Sequence, residues 1–129
     1  MDNLNFTTEI QPNMDFIKEL TKTGADALQK CYQCSTCSTV CPLSTDTKPF
    51  PRKEMMWAQW GQPDKLVYNS DVWLCHQCND CVDYCPREAK PGDVMASVRR
   101  FSFSFLATPG FMGRALQNIK LLPLLLAVP

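Results

Sequence analysis

All eight cysteines of the chain lie in two short stretches, CYQCSTCSTVCP at residues 31–42 and CHQCNDCVDYCP at residues 75–86. Each stretch has the pattern C-x2-C-x2-C-x3-C-P. The first three thiolates of such a run can bind three irons of one cubane, and in two-cluster ferredoxins the fourth cysteine ligates the other cluster. The repeated pattern therefore predicts two [4Fe-4S] clusters that share ligands between the stretches.

Crossed ligation divides the cysteines into two sets of four. We expect cluster I to be held by Cys31, Cys34, Cys37 and Cys85, and cluster II by Cys75, Cys78, Cys81 and Cys41. Such ligation would join distant parts of the chain and couple cluster assembly to folding. The start of the chain lacks the pattern of a secretory signal, so reduced, metal-binding thiols are expected rather than disulfides. Two structural zinc sites are the alternative, although this spacing is not the usual zinc pattern.

Residues beside the cysteines are expected to form the surroundings of the clusters. Tyr32 and His76 occupy the same position in the two motifs, which predicts a packing or shielding role for both. Trp73, two residues before the second motif, is expected to shield its cluster from water. Pro42 and Pro86 end the two ligand runs and turn the chain away. No nucleotide-binding glycine motif or acid–base pair stands out, so we expect electron relay and no catalytic residue.

The apolar pattern predicts a mostly α-helical fold. Residues 13–30 read as two short helical pieces, and a helix is expected between Pro51 and Gly61. Asp71 is a candidate N-cap for a short helix before the second motif, and Pro109 a candidate start for the last helix. Since no stretch alternates apolar and polar residues over a strand length, strand content should be low.

Three segments are expected along the chain: an irregular N-terminal arm (1–12), an α-helical ferredoxin domain (13–100) and a basic, apolar helical tail (101–129). The stretch KPGDVMASVRRF reads as the helix that closes the domain. Formal charge is zero overall, but residues 94–129 carry four basic residues and no acid. Basic residues among aromatic ones suit a membrane surface or a partner subunit, and no motif supports nucleic-acid binding. No segment reaches the roughly 20 apolar residues of a membrane span.

Four stretches carry a resemblance to a known family: KCYQCSTCSTVCPLS, KPFPRKEMMWAQWG, DVWLCHQCNDC and CPREAKPGDVMA. The chain resembles the C subunit of heterodisulfide reductase (HdrC), whose fold is an α-helical ferredoxin. Within that family it is most similar to the C subunit of the quinone-interacting membrane-bound oxidoreductases (Qmo) of sulfate reducers. The cysteine motifs are shared by many proteins, whereas the PFPRKEM-WAQWG pattern is more specific. All eight cysteine positions match the family.

The resemblance implies a role and partners. In the Qmo family the ferredoxin-like domain is followed by a membrane domain that carries haem b, and no haem or quinone ligand can be assigned to a residue of this chain. The expected function is electron transfer between the menaquinone pool and the flavin-containing Qmo A and B subunits, which serve adenylylsulfate reductase. The expected location is the cytoplasmic face of the inner membrane.

Two other functions are kept as alternatives. The first is the C subunit of a soluble heterodisulfide reductase, which relays electrons to a disulfide-reducing subunit. The second is a zinc-stapled interaction module, which would bind no iron. Iron content separates the zinc-stapled module from the two electron-transfer functions. A membrane-bound partner separates the Qmo function from the soluble heterodisulfide reductase.

Overall fold

The computed structural model describes residues 11–118 together with residues 120, 123 and 127. Over this part of the chain the fold is mostly α-helical and has no strand, as predicted, apart from an isolated bridge between Thr45 and Lys48. The expected irregular arm lies almost entirely outside the described residues. The helices are α1 (Met14–Lys22), α2 (Thr36–Val40), α3 (Arg52–Gln59), α4 (Pro63–Val67), α5 (Ser70–Leu74), α6 (Asp80–Asp83), α7 (Pro91–Leu106) and α8 (Gly110–Gln117), with a 3-10 turn at Leu28–Lys30.

Helix α7 lies at the centre of the fold, since α1, α3, α4, α5, α6 and α8 all pack against it. Its buried residues recur every three or four positions, as expected for a helix with one apolar face. They meet apolar side chains from the other helices in a single core. The fully buried members are Leu20, Met55, Ala58, Leu66, Val72, Val94 and Val98.

The core continues past residue 100, where the sequence placed the start of the tail. Helix α7 runs to Leu106, and Ser102 is buried within it. The ring of Phe101 meets the ring of Phe16 edge-on, with centroids 4.7 Å apart, and such aromatic pairs add to the stabilisation from buried area. Residues 101–106 therefore continue helix α7, in which Phe101 packs against the core while Phe103, Phe105 and Leu106 are exposed. No helix within the described residues is long and apolar enough to cross a membrane.

The ends of α1 and α3 lie against each other. The side chain of Asn13 caps α1 by accepting a hydrogen bond from the backbone N–H of Phe16 at 2.9 Å. Gly61 follows α3 with a φ of 62°, and its carbonyl accepts a bond from the backbone N–H of Asn13 at 2.9 Å. A Cβ at Gly61 would lie 2.8 Å from that same nitrogen, so only glycine allows this approach. The predicted end of α3 at this glycine is confirmed.

A hydrogen-bond network joins α3 to α5, the helix immediately before the second cysteine motif. The prediction that Asp71 caps α5 was wrong, because Asn69 accepts the bond from the backbone N–H of Asp71 at 2.9 Å. The same Asn69 side chain also donates to Oε1 of the buried Glu54 at 2.9 Å. Lys53 Nζ lies 3.5 Å from Glu54 Oε1 and 3.6 Å from Asp71 Oδ2. This network fixes where the chain enters the second motif.

Glu54→Gln should make the stability of the domain less dependent on pH. Burial raises the pKa of Glu54, so the folded state binds its proton more tightly than the unfolded state does. The free energy of unfolding then falls as pH rises from the usual glutamate range through the raised pKa. Glutamine keeps the oxygen that accepts from Asn69, and Glu54 Oε2 has no donor among the described atoms to lose.

Thermal unfolding of the cluster-loaded protein between pH 5 and 9 tests this. The melting temperature of Glu54→Gln should exceed that of the wild type by an amount that grows with pH and then levels off. Glu19→Gln on the exposed side of α1 is the control and should give no such trend. A Glu54→Gln protein that melts below the wild type at pH 9 would contradict the argument.

Candidate metal centres

The two cysteine motifs fold into loops of the same backbone shape. In each loop the residues on both sides of the second cysteine have positive φ: Gln33 (65°) and Ser35 (72°) in the first, Gln77 (57°) and Asn79 (68°) in the second. Residues other than glycine rarely adopt this conformation, and those that do cluster at ligand clamps. The repeat in the sequence is therefore a repeat in structure, with a short helix, α2 or α6, beginning at the same point of each loop.

Helices α2 and α6 pack against each other, and each motif ends beside the beginning of the other. As a result, two cavities form, and each is bordered by thiols from both motifs. The first cavity has about 340 Å³ of empty space, part of it open to solvent, and the second about 430 Å³. The thiols at the first cavity are Cys31, Cys34, Cys37 and Cys85. The thiols at the second cavity are Cys41, Cys75, Cys78 and Cys81.

The donor set of each cavity fits a cubane better than a single ion. Among the described residues, no three Cys, His, Asp or Glu side chains come close enough together to hold one metal ion. A tetrahedral zinc site needs four ligands around one centre, each about 2.0–2.3 Å from it. A cubane instead takes each thiolate at a different iron, so its ligands lie farther apart. Four cysteines around a cavity of this size match the wider ligand spacing of a cubane.

Hydrogen-bond donors already point at thiols of the first cavity. Gln33 Nε2 lies 3.5 Å from Cys31 Sγ, and the backbone N–H of Ala89 donates to Cys85 Sγ at 3.3 Å. Bonds of this kind stabilise thiolates and raise the reduction potential of a cluster that they hold.

Burial makes the inner thiols hard to ionise while they are free of metal. It raises the pKa of Cys37 to about 11 and that of Cys81 to about 12, and repulsion from neighbouring cysteines adds to the effect. Cys34 and Cys78, by contrast, are exposed at the outer edge of their cavities. Because only the thiolate binds metal, loading must displace protons from the inner thiols.

A glutamine from α3 positions the first motif. Gln59 Nε2 donates to the backbone carbonyl of Leu28 at 3.2 Å and to that of Cys31 at 2.8 Å. Its Oε1 lies 3.4 Å from Gln33 Nε2, the side chain that reaches Cys31 Sγ. Gln59 belongs to the WAQW stretch, so that part of α3 is joined directly to the first cavity.

An arginine from α7 positions the second motif in a similar way. Arg99 Nε donates to the carbonyl of Val72 at 2.8 Å, and its terminal nitrogen donates to the carbonyls of Trp73 and Cys75. These carbonyls end α5, where a helix leaves its acceptors without intrahelical partners and carries partial negative charge. Arg99 thereby fixes the direction in which the chain enters the second cavity.

Four of the five neighbouring residues predicted from the sequence border the cavities. Tyr32 and Pro86 line the first, and His76 and Pro42 line the second. Trp73 does not line the second cavity, and 47% of its surface is exposed. Its carbonyl accepts a hydrogen bond from Arg99, and the expected shielding of the cluster by Trp73 stays a prediction.

The part of the chain that carries the two cavities matches a known family. Residues 27–89 match the family of 4Fe-4S dicluster domains. The chain is 32% identical over 101 residues to the C subunit of the H(2):CoB-CoM heterodisulfide,ferredoxin reductase of Methanothermobacter marburgensis, covering 78% of this chain and 52% of the relative. It is 36% identical over 95 residues to a protein of Archaeoglobus profundus described as like the C subunit of heterodisulfide reductase, covering 72% and 49%.

A third relative aligns with a longer part of this chain. The iron-sulfur C subunit of the CoB–CoM heterodisulfide reductase of Methanopyrus kandleri is 31% identical over 117 residues, covering 84% of this chain and 59% of the relative. The chain spans about half the length of the curated relatives it matches.

Arg99→Met should weaken the second cavity. The substitution keeps the apolar stem of the side chain but removes charge-assisted hydrogen bonds to three carbonyls. The loss should cost about 1.5–3 kcal/mol of the free energy of unfolding. It should also speed the loss of iron to a chelator.

The matched control is Arg100→Met, one residue along α7, where the side chain is exposed. Chemical denaturation and iron release, followed in parallel, give the comparison. Equal stability of the two variants would show that Arg99 does not hold the second motif in place.

Proposed function

Because the chain belongs to the family of heterodisulfide reductase C subunits, we propose that it is an iron–sulfur electron-transfer subunit that holds two [4Fe-4S] clusters. The observation that supports this most strongly is the grouping of eight thiols, four around each of two cavities. When bound, such clusters accept and release single electrons. The chain itself supplies the ligands, the polar contacts to their sulfurs and the apolar walls.

The cysteines are assigned to the clusters in crossed sets. Cys31, Cys34, Cys37 and Cys85 hold cluster I in the first cavity, and Cys75, Cys78, Cys81 and Cys41 hold cluster II in the second. All eight thiols are then ligands, and each cluster has a full set of four. This arrangement supports relay of electrons rather than binding of a substrate at an open iron.

The finer proposal is a subunit of a Qmo-type complex. It rests on the resemblance in PFPRKEMMWAQWG, whose Arg52 lines the first cavity and whose Gln59 donates to the carbonyl of Cys31. In this proposal the chain relays electrons between the menaquinone pool and flavin-containing Qmo A and B subunits that serve adenylylsulfate reductase. It works at the cytoplasmic face of the inner membrane, with haem b in a separate membrane domain.

The other end of the described fold supplies a surface for such a membrane domain. The hairpin of α7 and α8 exposes large apolar side chains, and Arg100 of α7 is also exposed. Among the apolar ones are Phe103, Phe105, Leu106, Phe111 and Met112. An apolar surface of this kind supports contact with a membrane domain or with the membrane itself.

The C subunit of a soluble heterodisulfide reductase is the second candidate. The names of the relatives favour it, since each is the C subunit of a heterodisulfide reductase or is described as like one. In this case the clusters pass electrons to a disulfide-reducing subunit. The exposed edges at Cys34 and Cys78 would face the partner subunits in either complex.

Anaerobic purification tests the shared part of the proposal. The protein should be brown and contain about eight irons per chain. A colourless protein with about two zincs would instead identify the zinc-stapled module. Co-purified native complex then separates the two candidates: reduction by a menaquinol analogue supports the Qmo type, and a complex that no quinol reduces supports the soluble reductase.

The crossed assignment makes its own prediction. Cys85→Ser should remove cluster I, the cluster that is also lost in Cys34→Ser. Cys41→Ser should remove cluster II, the cluster that is also lost in Cys78→Ser. Each variant should retain about four irons, and the EPR signal of the remaining cluster identifies which one is left. If Cys85→Ser and Cys78→Ser lost the same cluster, each motif would hold its own cluster and the crossed sets would be incorrect.

A further inference from the structure

The two cavities are similar enough for their differences to be informative. Both have four cysteines at the same spacing, a glutamine before the second cysteine and a proline after the fourth. Each also has one exposed cysteine at its edge. The potential of a cluster depends on cluster type, nearby charge, hydrogen bonds to sulfur and exposure to solvent. The cluster type is the same, whereas Gln77, Asn79 and Asp80 of the second loop are more exposed than their equivalents in the first. Charge and hydrogen bonds should set the two clusters further apart.

Equivalent positions of the two motifs carry different charges. Thr36 of the first motif corresponds to Asp80 of the second, and each lines its own cavity. The residue after the motif proline is Leu43 in the first case and Arg87 in the second. Because the motifs end beside each other's cavity, Arg87 lines the first cavity and Leu43 the second. Both differences make the first cavity the more positive.

The largest difference in charge between the two cavities comes from Arg52, the first residue of α3. It lines the first cavity and is half-buried, whereas Arg87 is exposed and more strongly screened by water. Arg52 Nε is a buried donor with no acceptor among the described atoms. An unpaired buried donor is costly, so this one is placed for an acceptor in the cavity.

Arg52 has no counterpart in the second cavity. The described residues that line it include the carboxylate of Asp80 and the apolar side chains of Phe50 and Met95, but no arginine or lysine. Arg99 does not line the second cavity, and its Nε and one terminal nitrogen donate to the carbonyls that end α5. The partial negative charge of that helix end offsets part of the charge of Arg99.

We propose that Arg52 donates a hydrogen bond to a sulfur of cluster I and holds the reduction potential of this cluster above that of cluster II. Reduction adds negative charge, which a half-buried guanidinium favours. The exposed carboxylate of Asp80 opposes it more weakly, because water screens its charge. Transfer of one electron from the second cavity to the first then runs downhill, with no bond made or broken. This inference rests on the proposed function, because it requires both clusters.

A redox titration followed by EPR tests the inference on the full chain with both clusters loaded. Cys34→Ser and Cys78→Ser assign the signals to cluster I and cluster II. In the wild type, cluster I should be reduced at the higher potential. Arg52→Gln should lower the ratio of reduced to oxidised cluster I about tenfold at a fixed potential, which equals 59 mV for one electron. Cluster II should change less.

Two further variants separate this effect from general damage. Arg100→Gln makes the same substitution at an exposed site on α7 and should leave both potentials unchanged. Asp80→Asn removes the acid from the second cavity and should raise the potential of cluster II alone. If Arg52→Gln does not assemble both clusters, Arg52→Lys replaces it and should lower the potential of cluster I by a smaller amount, because it keeps the charge.

The outcomes distinguish this inference from the proposed function. A wild-type protein without two clusters would overturn the proposed function. Two clusters with cluster I titrating below cluster II, or an Arg52 variant that shifts both equally or neither, would overturn the role of Arg52 and leave the function intact. A selective fall in the potential of cluster I, together with a selective rise of cluster II in Asp80→Asn, would establish it.

Discussion

The packing of α2 against α6 is the contact on which the rest of the structure depends. Each helix carries the third cysteine of its motif, Cys37 or Cys81, and ends at or just before the fourth, Cys41 or Cys85. Placing the two helices together brings each fourth thiol to the cavity of the other motif. Either cavity is then incomplete unless both motifs are folded. A chain with a core of this size gains from such mutual dependence, because metal ligation adds to the stability that apolar burial supplies.

The core holds the motifs in place through a few polar contacts rather than through apolar packing alone. Gln59 reaches from α3 to the carbonyl of Cys31, and Arg99 reaches from α7 to the carbonyl of Cys75. Each side chain joins a core helix to the first cysteine of one motif. The loops themselves are strained by their positive φ values, and such strain persists only where the surroundings impose it. Core, positioning contacts and loops thus form one continuous support for the thiols.

The sequence predicted the helical class, the boundaries of α3 and the eight thiols, because each of these has a local signature. Proline and glycine mark the ends of α3, and the cysteine spacing is a short-range pattern. Contacts between distant parts of the chain left no such signature. The side chain of Asn69, which caps α5, is bonded to Glu54, fifteen residues earlier, and the carbonyl of Trp73 is bonded to Arg99, 26 residues later. Gln59, Arg99 and Arg52 were missed as site residues for the same reason, since nothing local distinguishes them from other polar residues on helices.

Because the two motifs are nearly identical, a difference in reduction potential between the two clusters must come from residues other than the ligands. Each cavity has four cysteines of its own, so the type of ligand alone would give two clusters with equal properties. The repeat is broken where Thr36 of the first motif corresponds to Asp80 of the second, and where α3 brings Arg52 to the first cavity and not to the second. Since α3 belongs to the spacer between the motifs, the segment that carries the family resemblance is also the one that makes the two sites unequal. An electron passes downhill between two clusters only if their reduction potentials differ, and the difference proposed here comes from residues other than the cysteine ligands.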